Sequence, residues 1–195
     1  MKKAVLISFL CLFSVNLFAL EPGTFVYAEG GIGRGNLNAY KLALNGIYNS
    51  YCFSLAYNFQ MGKAKDVPSD FKAYEGSFLF PYPVQEMRLY CMTFGKVFPS
   101  HRKHRYLISG GLTFGESLQP LNYRKRIVSN NWDSDNYYYD YETIKTIGIL
   151  INPKVEYPIG RFLGCTFGGW ACLTNARITY GLETSFILGF LRERQ

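Results

Sequence analysis

No stretch of this chain keeps a helical period over several turns; what recurs is a two-residue alternation, clearest in Arg177 to Leu191 (RITYGLETSFILGFL). One set there is Ile178, Tyr180, Leu182, Thr184, Phe186, Leu188 and Phe190, and the other is Thr179, Gly181, Glu183, Ser185, Ile187, Gly189 and Leu191. Side chains alternate faces along a strand, so one face is greasy with aromatic ends and the other is small or polar and carries a carboxylate. The stretch is longer than an ordinary globular strand and about the length that crosses a bilayer at a tilt.

Seven further segments carry the same period: Thr24–Gly33, Leu37–Tyr48, Ser50–Met61, Glu86–Phe98, Tyr106–Leu118, Thr143–Tyr157 and Arg161–Leu173. The third is the cleanest, with Tyr51, Phe53, Leu55, Tyr57, Phe59 and Met61 against Cys52, Ser54, Ala56, Asn58 and Gln60. The fourth has two mixed faces, and the seventh is rich in glycine and alternates poorly. Pro153 in the sixth predicts a bulge or irregular pairing near the end of a barrel. Eight strands is an even number, as a closed single-chain bacterial barrel usually requires. The two long connections, Gly62–Val84 and Gln119–Glu142, fall on the same end of such a barrel. That matches short periplasmic turns opposite longer external loops.

The start of the chain fits export. Lys2 and Lys3 precede an apolar run from Ala4 to Val15, and Ala19 suits the residue before a signal-peptidase cut. Residues 1–19 are therefore expected to be a cleaved signal peptide and 20–195 a single barrel domain. No apolar run long enough for a spanning helix follows, so only a closed barrel could cross a membrane. The net charge of +7 includes Lys2 and Lys3, leaving +5. That surplus reads as solubilising charge or headgroup contact, and no basic helix or stripe points to nucleic acid. Cys52, Cys91, Cys165 and Cys172 each lie within a predicted strand and read as free thiols serving as small apolar residues. Metal-ligand spacing such as C-x-x-C is absent.

A soluble barrel would turn the greasy faces inward around a ligand. Here the opposing faces are Ser, Thr, Gly, Ala, Asn and Gln, which suit a narrow interior, and pairs such as Tyr51 and Phe59 or Tyr106 and Phe114 sit where two interfacial girdles would lie. Glu29, Lys41 and Glu183 then face the lumen and are expected to form an ion-pair cluster. Lumen filling is the favoured role for it, with a gate or proton path as the alternative.

The leader, the eight alternating segments and the aromatic-rich closing strand resemble small eight-stranded outer-membrane proteins of the OmpA/OmpX type. INPKVEYPIGRFLG followed by YGLETSFILGFLR also looks like outer-membrane β-barrel proteins of this size. The resemblance implies an all-β, eight-stranded antiparallel up-and-down transmembrane β-barrel in a Gram-negative outer membrane, with outer-membrane lipid as its surroundings. Proteins of this type commonly end on phenylalanine, whereas this chain ends RERQ.

Chemistry-bearing motifs are weak. A hydroxyl nucleophile needs a base, and His101 and His104, in PSHRKHRY, fall in a predicted periplasmic turn. GGIGRG at Gly30–Gly35 lacks the Lys-Ser/Thr and helix of a phosphate loop and reads as a strand end. No catalytic residue, cofactor or metal is expected. The stretch Gln119–Glu142 is the candidate recognition loop, through Tyr123, Arg124, Lys125, Arg126, Trp132, Tyr137, Tyr138, Tyr139 and Tyr141. Tyr and Trp give contact area at low entropic cost. The plainer reading is a hairpin whose basic and acidic blocks pair with each other. The function expected is a non-enzymatic barrel with a structural or surface-interaction role toward an external partner. A narrow pore or conduit for small apolar molecules, and a lipid-modifying enzyme, are the alternatives.

Overall fold

The computed structural model describes residues 24–73, 82–99, 104–126 and 135–191. The leader, His101, Trp132, most of the FLFPYPV stretch and the RERQ end lie outside the described residues. Eight strands follow one another: β1 Phe25–Gly35, β2 Asn38–Tyr48, β3 Tyr51–Lys63, β4 Val84–Pro99, β5 Arg105–Lys125, β6 Tyr137–Pro158, β7 Leu163–Thr174 and β8 Ile178–Phe190. Each pairs antiparallel with its sequence neighbours, and β8 closes on β1 from Val26↔Phe190 to Gly35↔Gly181. Closure pairs every strand with two neighbours along the wall, which is what hydrocarbon surroundings demand.

Local chemistry explains the tight end. Asn49 and Ser50 both take positive φ (47° and 66°) between the paired Tyr48 and Tyr51. Two left-handed residues make a turn whose twist matches that of the flanking strands, and Asn tolerates it well. This is the turn end of the barrel; the β3–β4 and β5–β6 connections define the loop end.

Burial alternates strictly on β2, where Ala39, Lys41, Ala43, Asn45 and Ile47 are buried and Tyr40, Leu42 and Leu44 exposed. On β4 the inward residues are Met87, Leu89, Cys91, Thr93 and Val97, while Tyr90, Met92 and Phe94 point out. Both faces mix apolar with polar residues, Thr93 inward and Arg88 and Lys96 outward, which is why its pattern reads as mixed. Glycines on β1 and β8 make room for a large luminal side chain of β7. A Cβ at Gly33 or Gly181 would lie 2.5 or 2.3 Å from ring carbons of the luminal Trp170.

The interior is layered. Toward the loop end Leu37, Met87, Leu89, Cys91, Leu150 and Trp170 pack together. Toward the turn end Tyr27, Ile47, Cys52, Val97, Leu107, Ile187 and Leu191 form a second cluster. The four described cysteines are free thiols: Cys52, Cys91 and Cys172 are buried inside, and Cys165 is half-buried.

Two sequence expectations need correction. Gln119–Glu142 is not one long loop: β5 runs on to Lys125 and β6 begins at Tyr137, paired as Gln119↔Glu142 through Lys125↔Tyr137. A run rich in Tyr favours strand, and the ladder simply continues beyond the barrel wall. Of the bulge or irregular pairing expected at Pro153, the bulge lies elsewhere, while irregular pairing is present on the β7 side. The β5–β6 register shifts between Leu121 and Arg124, where Asn122 has φ 57°. At Pro153 the register to β5 is unbroken, and the ladder to β7 skips from Ile151↔Ala171 to Lys154↔Gly168 without changing register. Proline has no N–H to give to β7. The Asn152 side-chain amide supplies a donor to the Gly169 carbonyl at 2.7 Å, so a neighbouring side chain restores the missing bond.

Candidate functional site

Between the two apolar layers lies a belt of charge. β2 points Lys41 inward, β1 Glu29, β8 Glu183, β6 Lys154 and Glu156, and the start of β5 Arg105. Lys41 Nζ sits 2.7 Å from Glu29 Oε1 and also contacts Glu183 Oε1. Lys154 Nζ reaches Glu29 Oε2 at 2.7 Å and Glu156 Oε1 at 3.2 Å. Arg105 Nε meets Glu156 Oε2 at 2.6 Å. The order Glu183–Lys41–Glu29–Lys154–Glu156–Arg105 places each charge beside its opposite, with three acids matched by three bases.

Neutral groups take up remaining lone pairs. Tyr27 donates its hydroxyl to Glu156 Oε1, Asn45 donates to Glu29 Oε2 at 3.2 Å, and Asn152 donates to Glu183 Oε1 at 2.9 Å. Arg105 also lies over the rings of Phe25 and Tyr27, 5.0 and 5.6 Å from their centres. The void lined by this belt is about 20 Å³. A space of that size holds roughly one water. Chemically the belt is a continuous set of ion pairs with little free space among its side chains.

Sequence reasoning singled out Glu29, Lys41 and Glu183 and missed Arg105, Lys154 and Glu156. The signal for two of them was present, since Lys154 and Glu156 lie on the polar set of β6. Arg105 was assigned to the preceding turn, whereas it is the first residue of β5 and shares the inward face with Leu107 and Ser109.

The second candidate site is the β5–β6 hairpin. It stands on the β3–β4 connection. Asp70 accepts from Lys125 Nζ and from the Tyr137 hydroxyl, each at 2.6 Å. Asn136 donates to the Asp70 carbonyl at 2.8 Å and accepts from the Lys72 N–H at 2.7 Å. Phe71 packs against Tyr137 and Tyr139, and Tyr123 touches both tyrosines, with centroids 5.6–6.4 Å apart. Tyr141 meets Tyr139 edge-on at 5.7 Å. The hydrogen bonds from Lys125 and Tyr137 hold the Asp70 carboxyl below its usual range, and Asp70 in turn pushes Lys125 and Tyr137 up.

The basic run therefore engages three different partners. Lys125 pairs across to Asp70, Arg124 approaches Asp140 at 3.9 Å, and the Arg126 guanidinium lies 4.8 Å above the exposed Tyr138 ring. At the opposite end of the barrel, His104 packs against Tyr106 and Tyr157, with ring centroids 5.2 and 5.5 Å away. GGIGRG is part of β1 up to its end, with no helix behind it.

Solved barrels share this architecture. The N-terminal β-barrel domain of Pseudomonas aeruginosa OprF superposes with a TM-score of 0.56 at 10% identity, over 87% of this chain and 98% of that one. Ail, the attachment invasion locus protein of Yersinia pestis, gives 0.51 at 9% identity over 87% and 99%, and it has also been solved in complex with the heparin analogue sucrose octasulfate. Neisserial surface protein A gives 0.50 at 10% identity over 86% and 96%. No protein-family model matches the chain, and no curated protein matches it. The fold is that of the eight-stranded outer-membrane β-barrels.

Proposed function

We propose that the mature chain is an integral outer-membrane barrel with a plugged lumen, exported by a leader cut after Ala19. It acts without catalysis and meets an external partner through its loop end. The observation that carries this reading is the outer wall. Every strand exposes a large apolar side chain: Ile32, Leu42, Leu55, Met92, Leu112, Ile149, Phe167 and Phe186, from β1 to β8 in order. A contiguous apolar girdle of this kind on a water-soluble monomer would far exceed the few hundred Å² usually exposed. Charged side chains meanwhile line the interior. Lipid outside and polar groups inside is the inverse of a soluble carrier. Tyr48, Tyr51, Phe98, Tyr106 and Tyr157 ring the turn end, and Tyr40 and Tyr180 lie toward the other, where interfacial aromatics belong.

The loop end supplies a defined surface. Two connections joined by Asp70, Asn136 and Phe71 present Arg124, Arg126 and Tyr138 outward as one unit, and arginine and tyrosine are effective contact residues. The filled charge belt supports a structural barrel over a pore. The one described histidine, His104, is at the turn end, which supports a surface role over hydrolysis of external lipid.

Cell fractionation with gel electrophoresis before and after boiling tests the reading. Recovery with the outer membrane and faster migration of the unboiled protein are expected. Recovery in the soluble periplasmic fraction would overturn it. In a planar bilayer the barrel is expected to give no steady conductance, and regular unitary currents would replace the plugged lumen with a pore.

A further inference from the structure

We propose that the barrel wall beside Arg34 is a binding groove for a net-anionic phospholipid, with one acyl chain along β1 and its phosphate on the Arg34 guanidinium. This rests on the membrane-barrel reading above. An open groove of about 480 Å³ runs up the outer wall across β7, β8, β1 and β2. That volume is within the range of about 300–1,000 Å³ typical of small-ligand clefts. Thr184 and the backbone of Gly33 form its floor, and Tyr40, Phe167 and Leu182 are its sides. The floor is low because β8 places a small hydroxyl residue, Thr184, outward between Leu182 and Phe186, beside Ile32 of β1 and Phe167 of β7.

Arg34 and Asn38 line the loop-end mouth of the groove, and both are exposed. Among the described residues no carboxylate lies within ion-pair distance of Arg34. Glu183, below it, faces the lumen and is held by Lys41. The wall thus ends in a cation and an amide donor that have a use for an anion.

The height fits. Gly30 is near mid-height of β1, which pairs from Val26↔Phe190 at one end to Gly35↔Gly181 at the other. Four residues of strand rise about 13 Å, and a tilt near 40° leaves roughly 10 Å along the membrane normal. The hydrocarbon half-thickness is about 15 Å. An arginine at that level reaches the headgroup plane by extending its stem, so a chain lying in the groove brings its own phosphate to Arg34.

The test is native mass spectrometry of the refolded barrel in neutral detergent, titrated with phosphatidylglycerol or with phosphatidylcholine of the same chains. Wild type is expected to prefer phosphatidylglycerol about fivefold, the value of one arginine near an anionic headgroup. Arg34→Gln abolishes the preference, and Arg34→Lys keeps most of it. Thr184→Leu, which raises the floor, weakens binding of both lipids. Lys145→Gln, at an exposed cation on the β6 part of the same end, leaves the preference intact. Equal binding of both lipids by wild type, a preference that survives Arg34→Gln, or an equal loss in Lys145→Gln would overturn the proposal. So would a dominant dimer mass lost in Thr184→Leu, which would make the groove's occupant a second copy of the chain. Gel mobility of the same samples separates the two readings. A barrel that is heat-modifiable but shows no lipid preference loses only the groove, whereas one that is not loses the membrane reading itself.

Discussion

The luminal belt and the external hairpin use the same contact in opposite surroundings. Lys154 meets Glu29 at 2.7 Å and Lys125 meets Asp70 at 2.6 Å. The first pair is almost wholly buried, with side chains 2% and 1% accessible, and the second is about half accessible or more on both sides. Water competes for and screens the outer pair, so it positions a loop. Inside the barrel the void among the charges has room for roughly one water, so each charge there depends on its neighbours.

The largest effect is expected from Lys154→Met. It leaves Glu29 with Lys41 and Glu156 with Arg105 as the one remaining cation of each, inside the barrel. Removing one partner of a buried pair costs about 3–5 kcal/mol. Urea unfolding in lipid vesicles, read by the gel shift, is expected to show a much lower midpoint or no assembled barrel. A midpoint equal to wild type would mean that the belt is wet and the contrast with the hairpin false.

Asn152→Ala is expected to act at an intermediate level. It removes the donor to the Gly169 carbonyl beside Pro153 and one donor to Glu183. An orphaned buried polar group costs about 1–3 kcal/mol. Hydrogen exchange should rise locally at the β6–β7 seam while other strands stay protected. Uniform exchange would show that the proline gap needs no substitute donor.

This contrast also explains what the sequence could reveal. Where the lumen is lined by small or polar residues, as along β2 and β3, the two faces differ and the strands are readable. On β4 the interior is itself apolar at Leu89 and Cys91, so the period loses contrast. On β7 the inward Gly164 and Gly168 carry no side chain, and only the neighbouring strands, which place Ile187 and Lys154 against them, show why they are small. The hairpin can be read from its charge blocks, but the limits of its strands cannot: above the wall both faces are solvated or lie against another loop, so no alternation is imposed. Five of the six belt charges lie on polar faces of the sequence pattern, Glu29, Lys41, Glu183, Lys154 and Glu156. Arg105 required knowing that β5 starts there.

Lys125→Met is expected to leave the unfolding midpoint of the barrel unchanged. The same variant should open the seat of the β3–β4 connection, measured as faster protease cleavage near Asp70. A lower barrel midpoint would show that the loop unit is coupled to the wall.

The smallest effect is pH-dependent and confined to the hairpin. Asp70 is held below its ordinary value by donors from Lys125 and Tyr137. A carboxyl depressed in the folded state contributes fully above its unfolded value, about pH 4, and the contribution is lost as pH falls through the depressed value. Lys125 and Tyr137 shift upward, so their share is full below about pH 10 and lost as pH rises beyond it. Docking of the two connections is therefore expected to hold across the range between, and cleavage near Asp70 should quicken below pH 4. Asp70→Asn should remove the acid limb and leave the gel shift of the barrel untouched. Added salt should speed cleavage too, because an exposed pair is screened within a Debye length of about 8 Å at physiological ionic strength. If salt left cleavage unchanged, the seat would rest on Phe71 among the tyrosines and on the Asn136 amide, with the ion pair incidental to it.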